Sequence, residues 1–418
     1  MKTFICKKYV YSFVCVVIIL FIAYKCCSTE NHNEIKNLYV QELILEQEQY
    51  IEDFESIHKQ VVDNYSLYLE KNIDMDSLYS YYSNLILTKV KTREDYATTL
   101  LKYFASLKAG HANILFANYC ASYWPSYIEN RLFIDKPNTF LKKAGFLDKD
   151  EIIAINDVPI SEWIDDNSEL QSGSTESYRR LASANDAFTS YIEQERIYTI
   201  SRGTDTLDIK LNLPSAENYP DPDTETPYMF YHKYDSVGYI YLKTMQDIAV
   251  ELFDSAYAQL KEMPHLIVDV RDNGGGSSEV GRSIAEKLIR KEQKHCLNDQ
   301  TMKPTSDAYK GKLYILTSGY TFSAAESFVI DMRESNNAII IGEPTAGDTG
   351  NGPKTFYSKF GIPFRLPTRS PKKSHSGFPL EGVAISPHCQ IIQTVEDFKK
   401  GKDCVLEYTL NKIKSNYD

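Results

Sequence analysis

The sequence shows no concentrated basic face, the feature that binding to nucleic acid or to an anionic membrane surface requires. Its 418 residues include 46 lysines and arginines against 57 acidic residues, which gives a formal net charge of -11. The other fractions, 43% hydrophobic and 25% charged residues, are ordinary for a globular protein. We therefore expect no nucleic-acid partner, and a chain long enough for about two to four domains.

Cysteine pairs at the short spacings of a zinc site are also missing. Of the eight cysteines, four lie in the first 27 residues, and the others are widely scattered at Cys120, Cys296, Cys389 and Cys404. We therefore expect no metal site. A disulfide between Cys389 and Cys404 and free buried thiols both remain open, because four cysteines allow three connectivities.

The longest apolar run, over about residues 9–24, is too short to span a bilayer comfortably, which takes roughly 20 residues. It follows a basic segment and precedes a polar one. This order predicts an export signal over residues 1–27, with a short membrane anchor as the alternative. Lipid attachment at Cys26 or Cys27, as in a bacterial lipoprotein, stays open, although Lys25 stands where a small residue is usual. We expect an exported protein, either periplasmic or anchored to a membrane through this leader.

Glycine and proline are almost missing from about residue 33 to residue 107, where apolar residues recur at helical spacing. This pattern predicts a helical N-terminal region over residues 33–118. The run SLKAGHANILF then passes through Gly110 into a β-like segment. His111 therefore stands at the boundary of an element, where a side chain can face a cleft.

Two hairpin-like units follow, one with a tight turn at residues 156–157 and one around residues 203–205. They predict a small β-rich domain over residues 120–213. A proline-containing linker at 214–227 separates it from alternating strands and helices over 228–418. Such alternation implies a mainly parallel sheet covered by helices, with functional groups on the loops at the strand ends.

The stretch YTFSAAE, residues 320–326, is the strongest candidate for chemistry. It lies between an apolar, strand-like run and residues that suit a helix, so Ser323 stands at a strand-to-helix turn. The hydroxyl of such a serine is exposed, and the unpaired N–H groups that open the helix can stabilise an anionic intermediate. Ser323 with Glu326 three residues later also forms a capping box, so this segment alone leaves open a helix cap and a nucleophile.

The glycine-rich stretch DNGGG, residues 272–276, follows a strand-like run and precedes a helix. It lacks the Lys-Ser/Thr pair of a P-loop and the GxGxxG spacing, which disfavours nucleotide binding. A glycine run also lets backbone N–H groups approach a substrate closely, as an oxyanion hole requires. A flexible loop without a function is the alternative.

Three motifs stand in order along the chain: LIVDVRDNGGG at 266–276, TFSAAE at 321–326 and IGEPTAG at 341–347. Together they resemble the core of the tail-specific, or C-terminal processing, serine peptidases, although each motif alone is weak. The resemblance implies an α/β multidomain fold with a helical N-terminal region, a PDZ-like β-rich domain and a crotonase-like α/β peptidase core. Residues 145–163 are similar, more loosely, to the carboxylate-binding loop and following strand of a PDZ domain.

This family activates its serine in two ways. In one branch a lysine about 25 residues after the serine is the base. Here that position is Asp348, no lysine stands in residues 346–351, and Lys354 lies further on. The resemblance therefore disfavours a Ser-Lys dyad.

The other branch is similar to the tricorn core and the retinoid-binding repeats, and its base is a histidine from the amino-terminal part. The run LKAGH, which ends at His111, matches its pattern with Ala109 in place of the usual Asp. The same branch has a glutamate near the carboxyl end. The run LEGVAISPH fits with Glu381, and His388 stands where Asp is usual.

The resemblance implies a role for each of these residues. Ser323 is expected to be the nucleophile, and His111 the base that takes its proton. Glu381 is expected to orient the imidazole, directly or through another polar group or water. His375 is a rival base, but only His111 matches a family motif.

The oxyanion hole is expected to consist of the backbone N–H of Ala324 and that of Gly274 or Gly275. The sequence thus predicts an exported serine endopeptidase that cleaves peptides or the C-terminal regions of proteins without a cofactor. The alternative is a non-catalytic protein that binds a peptide or an apolar ligand on the same fold. The retinoid-binding relatives imply this alternative, and Ala109 keeps it open.

Overall fold

The computed structural model describes residues 46–115, 119–220, 227–350, 352–369 and 373–415. The predicted leader at 1–27, the start of the predicted helical region and part of the predicted linker lie outside these residues. No helix among the described residues is long and apolar enough to cross a membrane.

The described residues form α-helices and strands in alternating blocks. The helices are α1 Tyr50–Asn64, α2 Met75–Thr88, α3 Arg93–Ser106, α4 Thr139–Ala144, α5 Ile160–Ser168, α6 Glu176–Asn185, α7 Ile248–Leu260, α8 Ser278–Glu286, α9 Ala324–Glu334, α10 Val395–Lys399 and α11 Cys404–Ser415. The strands are β1 Asn113–Ile114, β2 Tyr119–Cys120, β3 Ser126–Ile128, β4 Arg131–Phe133, β5 Glu151–Ile155, β6 Val158–Pro159, β7 Thr189–Ser190, β8 Glu195–Arg202, β9 Asp205–Asn212, β10 Met229–Tyr234, β11 Val237–Leu242, β12 His265–Asp269, β13 Gln293–Lys294, β14 Thr301–Met302, β15 Lys312–Thr317, β16 Ala338–Gly342, β17 Pro353–Tyr357, β18 Pro363–Pro367 and β19 Cys389–Gln390.

The predicted helical N-terminal region is confirmed by α1, α2 and α3. Asp74 and Thr92 cap α2 and α3, because their side-chain oxygens accept hydrogen bonds from N–H groups of the first turn. The apolar faces of the helices bury Phe54 and Phe104 in one cluster with Phe364 of β18. The helical region therefore packs on a strand that lies far along the chain.

A second layer is the sheet β3-β4-β5-β8-β9, with β6 paired to β5. The predicted turn between β5 and β6 is present, and Asn156 and Asp157 both have positive φ, at 50° and 62°. Two such residues in a row match the twist of a two-residue hairpin turn. The second predicted hairpin is also present, since β8 and β9 pair antiparallel from Glu195↔Asn212 to Arg202↔Asp205.

The largest sheet of the C-terminal half has the order β10-β11-β12-β15-β16-β19. Strands β11, β12, β15, β16 and β19 run parallel, and β10 is an antiparallel edge. Every residue of β11 and β12 is buried, as expected for parallel strands covered on both faces. The predicted α/β multidomain fold is therefore confirmed.

A small sheet, β1-β18-β17, joins the helical region to the C-terminal half. Strand β1 pairs antiparallel with β18 through Asn113↔Arg365 and Ile114↔Phe364. Because β1 follows α3 after a short loop, this pairing fixes the loop that carries His111.

Cys389 and Cys404 are free thiols, so the disulfide alternative is not present.

Candidate active site

Ser323 lies at the turn between β15 and α9, with an unusual backbone conformation. Its φ of 58° and ψ of -122° are rare for a residue with a side chain, and such strain is typical of functional turns. The turn is fixed from the neighbouring strand end, because the Thr321 hydroxyl donates to the Val270 carbonyl at 2.9 Å. The Phe322 N–H likewise donates to the Asn273 carbonyl at 3.0 Å. The half-buried Ser323 is therefore held in place by the glycine-rich loop.

His111 meets Ser323 from the other end of the chain. Its Nε2 lies 3.0 Å from Ser323 Oγ, although 212 residues separate the two in sequence. The imidazole is only 5% exposed and stacks on the Phe322 ring at a centroid distance of 4.7 Å. Gly350 covers the imidazole from another side, since a Cβ on Gly350 would lie 2.9 Å from His111 Cε1. The two side chains are thus within the reach that proton transfer requires.

The charge state of His111 follows from its surroundings. Burial lowers its pKa to about 4, Asp348 opposes this shift, and Arg365 adds to it. The imidazole is therefore neutral at neutral pH, which leaves Nε2 able to accept a proton from the serine. In that tautomer Nδ1 carries the hydrogen.

Glu381 lies near His111 but makes no hydrogen bond to it. Its Oε2 accepts from the Gly350 N–H at 3.2 Å. Glu381 Oε1 and His111 Nδ1 are both buried, and neither has a hydrogen-bond partner among the residues that the structure describes. Burial raises the pKa of Glu381 well above its usual value, Asp348 raises it further, and Lys71 opposes. The predicted role of Glu381 as the group that orients His111 stays a prediction.

The predicted oxyanion donors differ in what their N–H groups contact. Gly275 has a φ of 98° and packs closely against Ser323, since a Cβ there would lie 2.8 Å from Ser323 Cβ. Its N–H, however, donates to Asn273 Oδ1 at 2.9 Å. In the part of the chain that the structure describes, the N–H groups of Ala324 and Gly274 have no such acceptor. Of the two glycines that the sequence left open, Gly274 therefore has the available donor in this structure.

Glu326 does more than the capping role that the sequence indicates. Its buried carboxylate accepts from the Ser323 N–H at 3.2 Å and from the Thr345 hydroxyl at 2.6 Å. It also accepts from the N–H groups of Gly347 and Asp348, at 2.8 and 3.0 Å. Burial raises the pKa of Glu326 to about 8, whereas the bonds from Thr345 and Gly347 lower it. Glu326 thus ties the Ser323 turn to the loop after β16.

Asp348 was noted in the sequence only because it replaces a lysine. In the structure it is fully buried, and its Oδ1 accepts from the Gly110 N–H at 2.8 Å. Its Oδ2 accepts from the Ser174 N–H at 2.9 Å, and the Ser174 hydroxyl bonds to Oδ1. No local pattern signals these contacts, because the partners lie 238 and 174 residues away.

Lys354, His375 and His388 are not among the hydrogen-bond partners of Ser323 and His111. Lys354 is exposed on β17. His375 is exposed in a loop that packs against the C-terminal end of α9, where the Ser374 hydroxyl bonds to Glu334. His388, which stands where the family usually has Asp, contacts β16, because its Nδ1 accepts from the Ile340 N–H at 2.9 Å.

Among the described residues, His295, Cys296 and Asp331 form a buried group whose ligand-type atoms lie within 4.8 Å of one another. Hydrogen bonds already join them, since His295 Nδ1 lies 2.7 Å from Asp331 Oδ2. The Cys296 N–H donates to the other oxygen of Asp331 at 2.8 Å. The group therefore fastens the hairpin β13-β14 to α9, and Ser323 is not part of it.

Comparison with known families supports a peptidase core. Residues 236–391 match the model described as "Peptidase family S41". Residues 127–213 match a second model, "Bacteroidetes, Peptidase, S41 family, N-terminal domain". The first match contains the glycine-rich loop, Ser323, Asp348 and Glu381.

Individual proteins give the same picture. Tricorn protease of Thermoplasma acidophilum is 24% identical over 228 residues, which are 52% of this chain but only 21% of tricorn protease. The crystal structure of mature CPAF has a TM-score of 0.71 at 14% identity and covers 88% of this chain and 96% of its own. The photosystem II D1 C-terminal processing protease has a TM-score of 0.51 at 16% identity, with 83% and 93% covered. These two likenesses show a shared fold.

Proposed function

The core of the chain, residues 236–391, belongs to peptidase family S41, and on that premise we propose a serine endopeptidase with Ser323 as nucleophile and His111 as base. The observation that carries the proposal is the 3.0 Å distance between Ser323 Oγ and His111 Nε2. A neutral, buried imidazole at that distance can take the serine proton as Oγ attacks the peptide carbonyl. It then returns the proton to the leaving amine, and water hydrolyses the acyl-enzyme through the same base.

The oxyanion that forms during attack needs donors beside Ser323. The Ala324 N–H opens α9, where the helix dipole also favours negative charge. We propose the Gly274 N–H as the second donor, because the Gly275 N–H is bonded to Asn273. One such donor contributes about 3 kcal/mol to transition-state stabilisation in serine peptidases.

Glu381 fits the third role through two buried atoms for which the described residues provide no hydrogen-bond partner. His111 Nδ1 is a donor in the reactive tautomer, and Glu381 Oε1 is an acceptor. A water molecule between them would pair both and hold the imidazole in orientation. Gly350 supports the arrangement, since its N–H holds the other oxygen of Glu381.

The proposed substrates are peptides and the C-terminal regions of proteins. The sequence resemblance supports this substrate class. The sheet β3-β4-β5-β8-β9 supports it too, because it lies within the predicted PDZ-like domain at 120–213, and residues 127–213 match an S41 N-terminal domain model. The domain limits 33–118, 120–213 and 228–418 are part of this proposal. So is binding of a substrate carboxylate by residues 120–213, which we call the middle domain.

Reaction with a serine-directed fluorophosphonate tests the proposal without knowledge of the substrate. We expect covalent labelling of the purified protein at Ser323, detected by mass spectrometry of the labelled peptide, because the base makes that hydroxyl nucleophilic. Labelling should disappear in Ser323→Ala. A mixed peptide library, incubated in parallel, should be cut at internal bonds. If the folded protein is not labelled and does not cut the library, the non-catalytic binding protein is favoured instead.

Export is a separate proposal, supported by the basic and apolar leader at residues 1–27. We expect the full chain, made in a bacterium, to reach the periplasm or the membrane fraction. A variant that begins after residue 27 should stay in the cytoplasm. The location of both forms is measured by cell fractionation and N-terminal mass analysis. Retention of both forms in the cytoplasm to the same extent would contradict export.

A further inference from the structure

Asp348 has no role in the mechanism described above, yet it bonds to Gly110 beside His111, to Ser174, and through its N–H to Glu326. We propose that Asp348 is a positioning residue whose buried carboxylate holds the His111 loop against the middle domain and supports the protonated imidazole during catalysis. This inference rests on the proposed function and extends it to a residue that touches neither substrate nor the reacting atoms.

The first support is the bond to the residue directly before His111. Asp348 Oδ1 accepts from the Gly110 N–H at 2.8 Å. Gly110 has no room for a side chain, because a Cβ would lie 2.8 Å from Phe322 Cε2 and 2.9 Å from Asp348 Oδ2. The loop is therefore pressed between Asp348 and the ring on which His111 stacks. A shift of the Asp348 carboxylate moves the loop that carries the base.

The second support is the bond to the middle domain. The segment before α6 donates the Ser174 N–H to Oδ2 at 2.9 Å, and the Ser174 hydroxyl bonds to Oδ1. Next to it, the Thr175 hydroxyl donates to the Ala346 carbonyl at 2.8 Å. Tyr178, in the first turn of α6, stacks on Phe322 at 5.2 Å. Asp348 thus joins the segment that precedes His111 to the start of a helix from the S41 N-terminal domain.

The third support is an indirect link to the backbone of Ser323 through Glu326. The Asp348 N–H donates to Glu326 Oε2 at 3.0 Å, and the same oxygen accepts from the Ser323 N–H at 3.2 Å. The buried side chains of Asp348 and Glu326 therefore each hold one backbone amide beside the His111–Ser323 pair. Asp348 holds the amide before His111, and Glu326 holds the amide of Ser323. The 3.0 Å approach of base and nucleophile depends on both.

The charge of Asp348 gives the proposal a distinctive signature. A negative carboxylate stabilises the imidazolium that forms when His111 takes the serine proton. The titratable groups around the pair are Lys71, Glu326, Glu381 and Arg365. Of these, Arg365 acts on His111 in the direction opposite to Asp348. Loss of the Asp348 charge should therefore lower the pKa of His111 further.

The test is the pH dependence of kcat/KM for Asp348→Asn, compared with Ser174→Ala. Asn keeps the shape of the side chain but loses the charge, so kcat should fall by roughly ten- to a hundredfold. The acid limb, which reports His111 in the free enzyme, should move to lower pH. Ser174→Ala keeps the charge of Asp348 and removes a hydroxyl that bonds to Asp348, accepts from Lys71 Nζ at 2.7 Å and lies 3.1 Å from the Lys108 carbonyl. We expect a loss of roughly threefold to tenfold with the acid limb unmoved.

Asp63→Asn, an exposed site on α1, is the matched control and should behave as the unchanged protein. A folded Asp348→Asn variant with unchanged kcat and an unmoved acid limb would overturn the role of Asp348 alone. If Asp348→Asn does not fold, unchanged kcat in Ser174→Ala overturns it. Hydrolysis by Ser323→Ala at the rate of the unchanged protein would instead overturn the proposed function, and the positioning role with it.

Discussion

Replacing Ser323 by alanine is expected to lower kcat for peptide hydrolysis by roughly four to six orders of magnitude. The substitution removes the atom that would form the acyl-enzyme and leaves the other groups of the site in place. Residual turnover would come from the oxyanion donors and from substrate binding alone. The measurement is hydrolysis of a quenched fluorogenic peptide identified from the library. Binding of the same peptide, followed by fluorescence anisotropy, should change little.

The backbone at Ser323 makes this variant informative as well as inactive. Alanine keeps a Cβ, so the strained φ of 58° remains and the N–H bond to Glu326 is unaffected. Ser283→Ala is a suitable control, because within the described ranges the Ser283 hydroxyl bonds only to the Glu279 carbonyl on α8. It should retain full activity. Equal turnover in Ser323→Ala and the unchanged protein would refute a serine nucleophile.

The sequence predicts the layers of this fold because their patterns are local. The absence of glycine and proline, together with apolar residues at helical spacing, indicates α1 to α3. Apolar runs indicate β11 and β12. The turn at Asn156-Asp157 is likewise a property of two adjacent residues. Such signals require no knowledge of what lies across the molecule. The α/β class and the helical N-terminal region therefore follow from the chain alone.

The site was predictable only where a motif carries it. No spacing relates His111 to Ser323, and the pair was predicted because both lie in segments that resemble one family. Glu326 shows the limit of local reasoning. Its contact with Ser323 three residues away was expected, whereas its bonds to Thr345 and Gly347 depend on how the loop after β16 folds back.

Asp348 and Gly275 show what no pattern could give. Asp348 was identified only as the residue that stands where a lysine is expected, and its burial against Ser174 arises from the docking of the middle domain. The N–H of Gly275 donates to the side chain of Asn273, and this bond depends on the rotamer that Asn273 adopts. Tertiary contacts and rotamers of this kind decide which of several suitable groups is available.

Replacing His111 by alanine should lower kcat by roughly the same factor as Ser323→Ala, because nucleophile and base act as one unit. The double variant should be little worse than either single one for the same reason. His111→Gln is the companion variant, since it keeps a polar side chain of similar reach but cannot serve as base at neutral pH. Thermal unfolding should first establish that both variants fold, because the imidazole packs on Phe322.

The choice of His111 as base is decided by comparison with the two rival residues. Lys354 and His375 are exposed, and among the described residues neither side chain forms a hydrogen bond with Ser323 or His111. Lys354→Ala and His375→Ala should therefore keep kcat within about twofold, as is usual for surface substitutions. Added imidazole should restore part of the activity of His111→Ala, where it can occupy the emptied space, and none of the activity of Ser323→Ala. Loss of activity in Lys354→Ala with none in His111→Ala would identify a Ser-Lys dyad and make the histidine assignment wrong.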